Sequence, residues 1–292
     1  MRLLAVPNWS FGRDRDLLRH FEVVLTSAGL KIHYLQSDVD HNRTVSAFSG
    51  DHEVLREALL RMAGEAFERI DLTRHVGVHP RIGALDVCPF VLPPGEASLE
   101  ALQAAKDVAI EVADSLASRF GVPVYLYEKS ERGRHESDLP SLRRGGFGAL
   151  LERVIRPDFG PARAHPTLGV SVVGVRDWLI AMNVNLATPD LAPALAIART
   201  IRHMRVEGDE RFLGVRALGL PLASRVQSQV SMNVTLPDVT PIDPIVEWVR
   251  VQAAQAQVLV AETELIGVIR PQDLPTATHL PVRPEQVVPS AE

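Results

Sequence analysis

Apolar and polar positions alternate along this chain in two periods, and the switches between them mark the elements. Residues 2–7 (RLLAVP) read as a strand. Arg13 to Ser27 then carries Leu17, Leu18, Phe21, Val24 and Leu25 on one stripe, the spacing of a helix with one buried face. Gly29 sits at the usual glycine stop position. KIHYLQSDV (31–39) and RTVSAFS (43–49) read as two strands joined by an Asp40–His41–Asn42 turn. Asp51 is placed to cap a helix from His52 to about Arg69, and LDVCPFVL (85–92) is the next strand. The order is β-α-β-β-α-β, the split unit of a ferredoxin-like sheet with its helices on one face. A third helix (about 98–118) and the short strand VPVYLY (122–127) extend it.

Residues 129–166 change character. SERGRHESD and SLRRGGFG are polar and glycine-bearing, and the prolines of RPDFGPARAHP break regular structure. A boundary belongs here, giving a first subdomain over 1–166 with 129–166 as its connecting segment. The second subdomain, 167–270, repeats the order. It has strands near 169–175 and 178–186, a helix from Pro189 to about Met204, and strands near 213–219 and 226–236. A helix at 243–256 and strands near 258–269 close it. The fold class is α+β, two tandem ferredoxin-like (βαββαβ) subdomains; the repeat rests on element order, since identity between the halves is not evident. The tail, 271–292, has prolines at 271, 275, 281, 284 and 289 and little apolar periodicity, and is expected to be extended or disordered.

Composition narrows the function classes. A net charge of −5 and a pI near 6.1 leave no basic footprint, which argues against general nucleic-acid binding. One cysteine excludes an internal disulfide framework and fits a reducing compartment. The opening MRLLAVPNWS is too short an apolar run for a signal peptide, and no stretch reaches the apolar length of a membrane span. A soluble cytoplasmic protein is expected, with small-molecule partners, no membrane partner, and a homodimer as the assembly considered.

The chemistry-bearing residues concentrate in RHVGVHPRIGALDVCPF (74–90), which puts His75, His79, Arg81 and Asp86 around Gly77, Pro80 and Gly83. The His–Pro step disfavours the α conformation at His79, so the segment reads as a shaped loop before a strand. An imidazole, a guanidinium and a carboxylate at a strand mouth suit proton transfer on an anionic substrate; a loop imidazole satisfied by a hydrogen bond is the plain alternative. His75 and His79 are four apart, but Gly77 and Pro80 oppose the helix such a metal pair needs and no third ligand is signalled, so no metal is expected. Asp38, Asp40, Asn42 and Arg43 occupy a strand-to-strand turn, readable as ordinary turn chemistry or as substrate-facing groups. Asp86 lies in the LDV strand and reads first as a buried, hydrogen-bonded carboxylate. Arg143, Arg144, Gly145, Gly146 and Gly148 form a basic glycine-bearing loop suited to carboxylates or simply to solvent. Cys88 reads as a buried inert thiol. Asn183, Asn185, Gln229, Ser231 and Asn233 alternate along strands and so share faces, marking either a solvent side or a groove wall.

The 74–90 segment resembles the HxGEHPRxGAxDVxPF motif of formiminotransferases. AVPNWSFGRD (5–14) is similar to that family's VPNFSEGR, and DVDHNRTVSAFSG (38–50) to its DxDxxxNRTVxTFVG. GVPVYLY (121–127), RPDFGP (156–161) and GVSVVGVRDWLIAMNVNL (169–186) also match, in the family's order over roughly the first 270 residues. The resemblance implies two α+β subdomains whose sheets face each other across a ligand groove. It implies one-carbon transfer in histidine degradation, from N-formiminoglutamate to tetrahydrofolate as co-substrate, with a formyl group as the other candidate cargo. It makes His79 the catalytic acid/base, an imidazole titrating near neutrality. It makes Asn8, Ser10, Asp40, Asn42, Arg43, Arg81, Arg144 and Gly145 substrate-binding, Arg43 and Arg144 towards carboxylates. The chain departs from the motifs at Phe11, Val78 and Gly146, each standing where the family has glutamate. Those departures keep a second reading open, a non-catalytic folate-binding or regulatory relative.

Overall fold

The computed structural model describes residues 1–290, and the chain divides between Arg176 and Asp177 into two compact units, each α+β with its own sheet. The first unit begins with β1 (Arg2–Ala5), β2 (Asn8–Trp9), α1 (Arg15–Ser27), β3 (Lys31–Asp38) and β4 (Arg43–Asp51). It continues with α2 (His52–Arg69), β5 (Leu85–Val91), α3 (Leu99–Phe120) and β6 (Val124–Leu126). Two short helices, α4 (Leu139–Leu142) and α5 (Gly146–Leu151), precede β7 (Ser171–Val175). β1 and β2 are one strand broken at Val6–Pro7, and both pair antiparallel with β4 on one side and β5 on the other. β3 flanks β4 on its outer side. Beyond β5 comes β7, parallel to it, and β6 is parallel to β7.

The helix stripes become one face of the core. Asp14 caps α1 through the amides of Asp16 and Leu17, and Asp51 caps α2 through that of Glu53. Leu17, Phe21, Val24 and Leu25 of α1 are buried in the same cluster as Trp9, Phe11 and Phe48. The β5–β7–β6 end is covered on its other face as well, where Val87, Tyr125 and Val172 meet Leu142, Leu150 and Ile155. That is why LDVCPFV and SVVGV are buried along their whole lengths and read as continuous apolar runs instead of alternating ones.

The second unit runs β8 (Ile180–Leu186), α6 (Ala192–Val206), β9 (Val215–Leu222), β10 (Gln227–Val234), α7 (Ile242–Gln255) and β11 (Val260–Ile266). Its sheet is antiparallel throughout, in the order β11-β8-β10-β9. Met182, Val184, Val230 and Met232 bury one face with Ile197 and Ile201 of α6 and Ile245 and Val249 of α7.

Two expectations are corrected. The strand near 169–175 does not open the second half; as β7 it completes the first sheet between β5 and β6, so the division falls at 176/177. Periodicity could not assign it, because a strand buried on both faces carries no sign of which sheet it joins. The proline-rich tail, through the described residue 290, is not disordered. Short 3-10 turns at Pro271–Thr276 and Pro284–Gln286 carry Ala277, Leu280 and Val288 into the second unit's interior. Gln286 Nε2 donates to the carbonyls of Leu265 (3.2 Å) and Gly267 (2.9 Å), and Arg270 is paired with Asp273 and Asp238. Such a strap buries irregularly spaced side chains, so it shows no period, and its prolines lower the entropy lost on ordering. Among the described residues no helix is long and apolar enough to cross a membrane.

Candidate active site

The shaped loop before β5 is fitted against the β3–β4 turn. Asp38 Oδ1 accepts from the amides of Asp40 (2.9 Å) and His41 (2.7 Å), which folds the turn. Asn42 adopts φ of +45°. Its side chain ties three segments, accepting from the Gly12 amide at 2.7 Å and donating to the Val76 carbonyl at 3.1 Å. The Val78 amide returns a bond to the Asp40 carbonyl at 3.1 Å. Gly77 passes so close that a Cβ there would run into the His41 carbonyl and the Arg81 guanidinium. Only glycine permits that approach.

This scaffold gathers His79, Arg43, Asn8, Arg81, His75, His41, Arg143 and Asp86. Arg43 Nη1 lies 2.6 Å from Nδ1 and 2.7 Å from Nε2 of His79. Its Nε (3.0 Å) and Nη2 (2.5 Å) both donate to Asn8 Oδ1, and Asn8 Nδ2 donates to the Val6 carbonyl at 2.9 Å. His79 Nδ1 also lies 2.8 Å from the Pro80 carbonyl. A carbonyl only accepts, so a proton on Nδ1 satisfies Pro80 and leaves Nε2 as the nitrogen that can accept from Arg43. Arg81 donates to His75 Nδ1 and to the carbonyls of His41 (3.0 Å) and His79 (2.6 Å). His75 Nε2 donates to the Asn42 carbonyl at 2.9 Å. Both nitrogens of His75 are thus committed to holding the loop. The His41 ring, buried, lies 5.7 Å from that of His79.

Asp86 is buried, accepts from the Ile82 amide at 2.8 Å and is paired with Arg143. It is the single carboxylate among the charges acting on Arg43, against Arg143 and Arg81. The centre is therefore cationic. Burial, then Arg43, Arg143 and His41, hold the His79 imidazole well below the ordinary histidine value of 6.5. Burial and Arg81 bring His75 down to about 4. Burial and Arg143 bring Arg43 down to about 9, against the pull of Asp86, and burial brings Arg81 to about 10. The expectation of an imidazole titrating near neutrality does not describe this environment. A cluster of guanidiniums around one neutral imidazole is suited to binding an anion and moving a proton beside it.

Other expected residues lie differently. Ser10 is buried and donates to the Gly83 carbonyl at 2.7 Å, stitching the amino-terminal segment to the loop. Asp40 contributes its backbone carbonyl to the loop contact, and Asn42 shapes the turn as described. Arg144 is exposed next to Arg143, and Gly145 precedes α5 with φ of +83°. Of the two adjacent arginines it is Arg143, not Arg144, that turns inwards. Consecutive residues on a helical turn point about 100° apart, and the sequence does not fix the phase. His41 was legible only as a turn residue. Phe11 packs edge-on against Phe21, 5.3 Å between centroids, in the core. Val78 and Gly146 border the cluster: Val78 precedes His79, and a Cβ on Gly146 would lie 3.8 Å from the Arg81 carbonyl. Cys88 is fully buried, which raises its thiol far above the ordinary value.

The second unit carries a polar ladder on the sheet face opposite its helices. Asn183 donates to Glu264 (2.9 Å), Asn185 to Glu262 (3.0 Å), and Gln229 to Asn185 (2.8 Å). Arg225 pairs with Glu264 at 2.6 Å. Asn183, Asn185 and Gln229 are buried, so the alternation there is not a solvent-facing pattern, although Asn233 is exposed. Burial pushes the Glu264 carboxyl up, but the bonds from Asn183 and Arg225 outweigh it and hold the group low.

The α+β chain that carries this cationic centre has recognisable relatives. It belongs to the formiminotransferase family: residues 2–176 match the N-terminal subdomain of the formiminotransferase domain, and residues 181–289 match the formiminotransferase domain. It is 33% identical over 268 residues to a glutamate formimidoyltransferase of Streptococcus pyogenes serotype M1, covering 90% of this chain and 87% of that protein. It is 37% identical over 278 residues to a glutamate formimidoyltransferase of Thermoplasma acidophilum, covering 92% and 88%. A formimidoyltransferase-cyclodeaminase of Sus scrofa is 33% identical over 271 residues, covering 91% of this chain and 49% of that protein.

Proposed function

We propose that this protein transfers a formimino group from N-formiminoglutamate to tetrahydrofolate, with His79 as the proton shuttle. The observation that carries the reading is the placement of the His79 ring, its Nδ1 2.8 Å from the Pro80 carbonyl and its edge against the Arg43 guanidinium, where burial and Arg43 lower its basicity. The amine of tetrahydrofolate adds to the formimino carbon and gives up its proton to Nε2; the glutamate nitrogen takes that proton as its bond to the carbon breaks. A weakly basic imidazole is a strong acid once protonated, which favours the second transfer. The glutamyl carboxylates fall to the cationic side, Arg43, Arg81 and Arg143, with Arg144 and Gly145 at its rim. Asn8 aligns Arg43, while Ser10, Asp40 and Asn42 hold the segments that shape the site. Both units are read as ferredoxin-like, the first extended by two parallel strands, and tetrahydrofolate as a co-substrate in a cytoplasmic setting. The names of the relatives support the choice of substrates.

The test is direct. Purified protein is given tetrahydrofolate and N-formiminoglutamate, and release of glutamate is followed together with formation of the substituted folate. Stoichiometric formation of both is expected. Neither product with formimino or formyl donors would overturn the reading.

A further inference from the structure

Among the described residues Arg43 has no ion-pair partner, and Asp86 acts on it only as a more distant charge. Its guanidinium is spent on a carboxamide oxygen, Asn8 Oδ1, and on the ring of His79. Nη1 of Arg43 straddles the ring, 2.6 Å from Nδ1 and 2.7 Å from Nε2, and with the Nδ1 proton on the Pro80 carbonyl only Nε2 can accept from it. That lone pair is the one a proton-accepting imidazole must offer to a substrate. The geometry thus sets the site's own cation against its base. An imidazole is a weak anchor for a guanidinium, whereas a carboxylate offers two oxygens in a matching fork and a full opposite charge.

We propose that Arg43 is a latch on His79: without an anion it caps Nε2, and a carboxylate of the amino-acid substrate uncaps it by drawing Arg43 into an ion pair. The idea rests on the transferase reading and adds how the site is switched on. Arg43 is a positioning residue here, acting on the proton through His79. Asn8 is the pivot of the latch: Nε and Nη2 both donate to its Oδ1, and a swing of the rigid guanidinium about that oxygen carries Nη1 away from His79. The other charged and titratable groups around His79 are His41 from the β3–β4 turn, Arg143 from the end of α4, Arg81 from its own loop and, on the far side of Arg143, Asp86 of β5. The latch makes the carboxylate a condition for proton transfer, so donors lacking it are processed slowly even when their formimino carbon reaches the site.

The consequence is measurable without turnover. Protein labelled with ¹⁵N-histidine is titrated by NMR, with His79 assigned by its loss in His79→Ala. In chloride buffer His79 should be neutral, protonated on Nδ1, and should titrate below 6.5. Saturating L-glutamate at the same ionic strength should raise its midpoint by about one unit or more, as the neighbouring positive charge is neutralised. In Arg43→Gln the midpoint should start higher and no longer respond to glutamate. Asn8→Ala, which leaves the cation but removes its pivot, should give a smaller glutamate response. A wild-type midpoint that glutamate leaves in place, or a full glutamate response in Arg43→Gln, would overturn the latch. Its failure is separable from that of the transferase: a glutamate-responsive His79 in a protein that forms no product keeps the latch and removes the reaction, and product formation with an unresponsive His79 does the reverse.

Discussion

The cationic cluster of the first unit and the polar ladder of the second are both partly buried, both hydrogen-bonded and both made of a handful of polar side chains, yet they are built on opposite plans. In the cluster, the groups come from a loop, a helix end and the ends of separate strands, and positive charge exceeds negative: Arg43, Arg81 and Arg143 share Asp86. In the ladder, the groups come from adjacent strands in register, and Glu262 and Glu264 are met by Asn183, Asn185, Gln229 and Arg225. A sheet fixes side-chain spacing, so donors and acceptors can be matched until little is left over. Loops can bring like charges together and leave them short of a counter-charge, which is the condition an anionic ligand answers. Charge left uncompensated marks where binding is expected; charge fully paired marks where the fold is being held.

His79→Ala should separate the two regions most widely. It should lower turnover by roughly two to four orders of magnitude, the usual worth of a positioned acid/base, while thermal unfolding stays near that of the wild type. Steady-state assay alongside calorimetry decides it; an unchanged turnover would remove the cluster's claim to chemistry. Arg143→Met should come next, costing about 3–5 kcal/mol, because it strands the buried Asp86 carboxylate. Arg144→Met, on the exposed neighbour, is the control and should change denaturant unfolding little. Equal losses for the two would mean that the assignment of the inward arginine is wrong. In the ladder, Asn185→Leu should cost about 1–3 kcal/mol by removing the amide oxygen that the buried Gln229 donates to at 2.8 Å. That loss should appear in hydrogen exchange of β8 and β10, with the first unit unaffected. The smallest effect is on acid stability. His75 and His79 are both depressed when folded, so below 6.5 the unfolded chain binds more protons and stability falls as pH drops from there towards about 4. Glu264 is depressed from 4.5, so its stabilisation is present above that value and is lost only as pH falls below it. Exchange at stepped pH should therefore loosen the loop around His75 before the ladder. Simultaneous loosening would erase the distinction.

The sequence made some of this legible and hid the rest for physical reasons. The stripe of Leu17, Phe21, Val24 and Leu25 announced α1, because an amphipathic helix writes its buried face into its spacing. His79 and Arg43 were legible through motif resemblance, but their mutual contact was not, since it depends on how a loop packs against a turn. The alternation of Asn183 and Asn185 was visible, whereas their partners Glu262 and Glu264 arrive from β11, which only strand order brings alongside. Ser10 was read as substrate-facing from its motif; its hydroxyl is used on the Gly83 carbonyl, a bond no local pattern encodes. The order of the tail was hidden too, because packing without a period leaves no signature.

The placement of β7 has a consequence for how the first unit is assembled. β6 (Val124–Leu126) has no strand neighbour except β7, and β7 joins the sheet between β5 and β6 although it follows both in the chain. The last pairings of the sheet therefore wait for residues beyond 170, across a long excursion through α4 and α5. Loop closure must be met before those contacts reward it, and non-local parallel pairing of this kind is slow. On a ribosome, the amino-terminal β1–β5 layer can form early, but the outer edge of β5 and the facing edge of β6 stay without their ladder until Ser171–Val175 emerges. The strand that is hardest to assign from its pattern is thus also the one on which completion of the folding reaction turns.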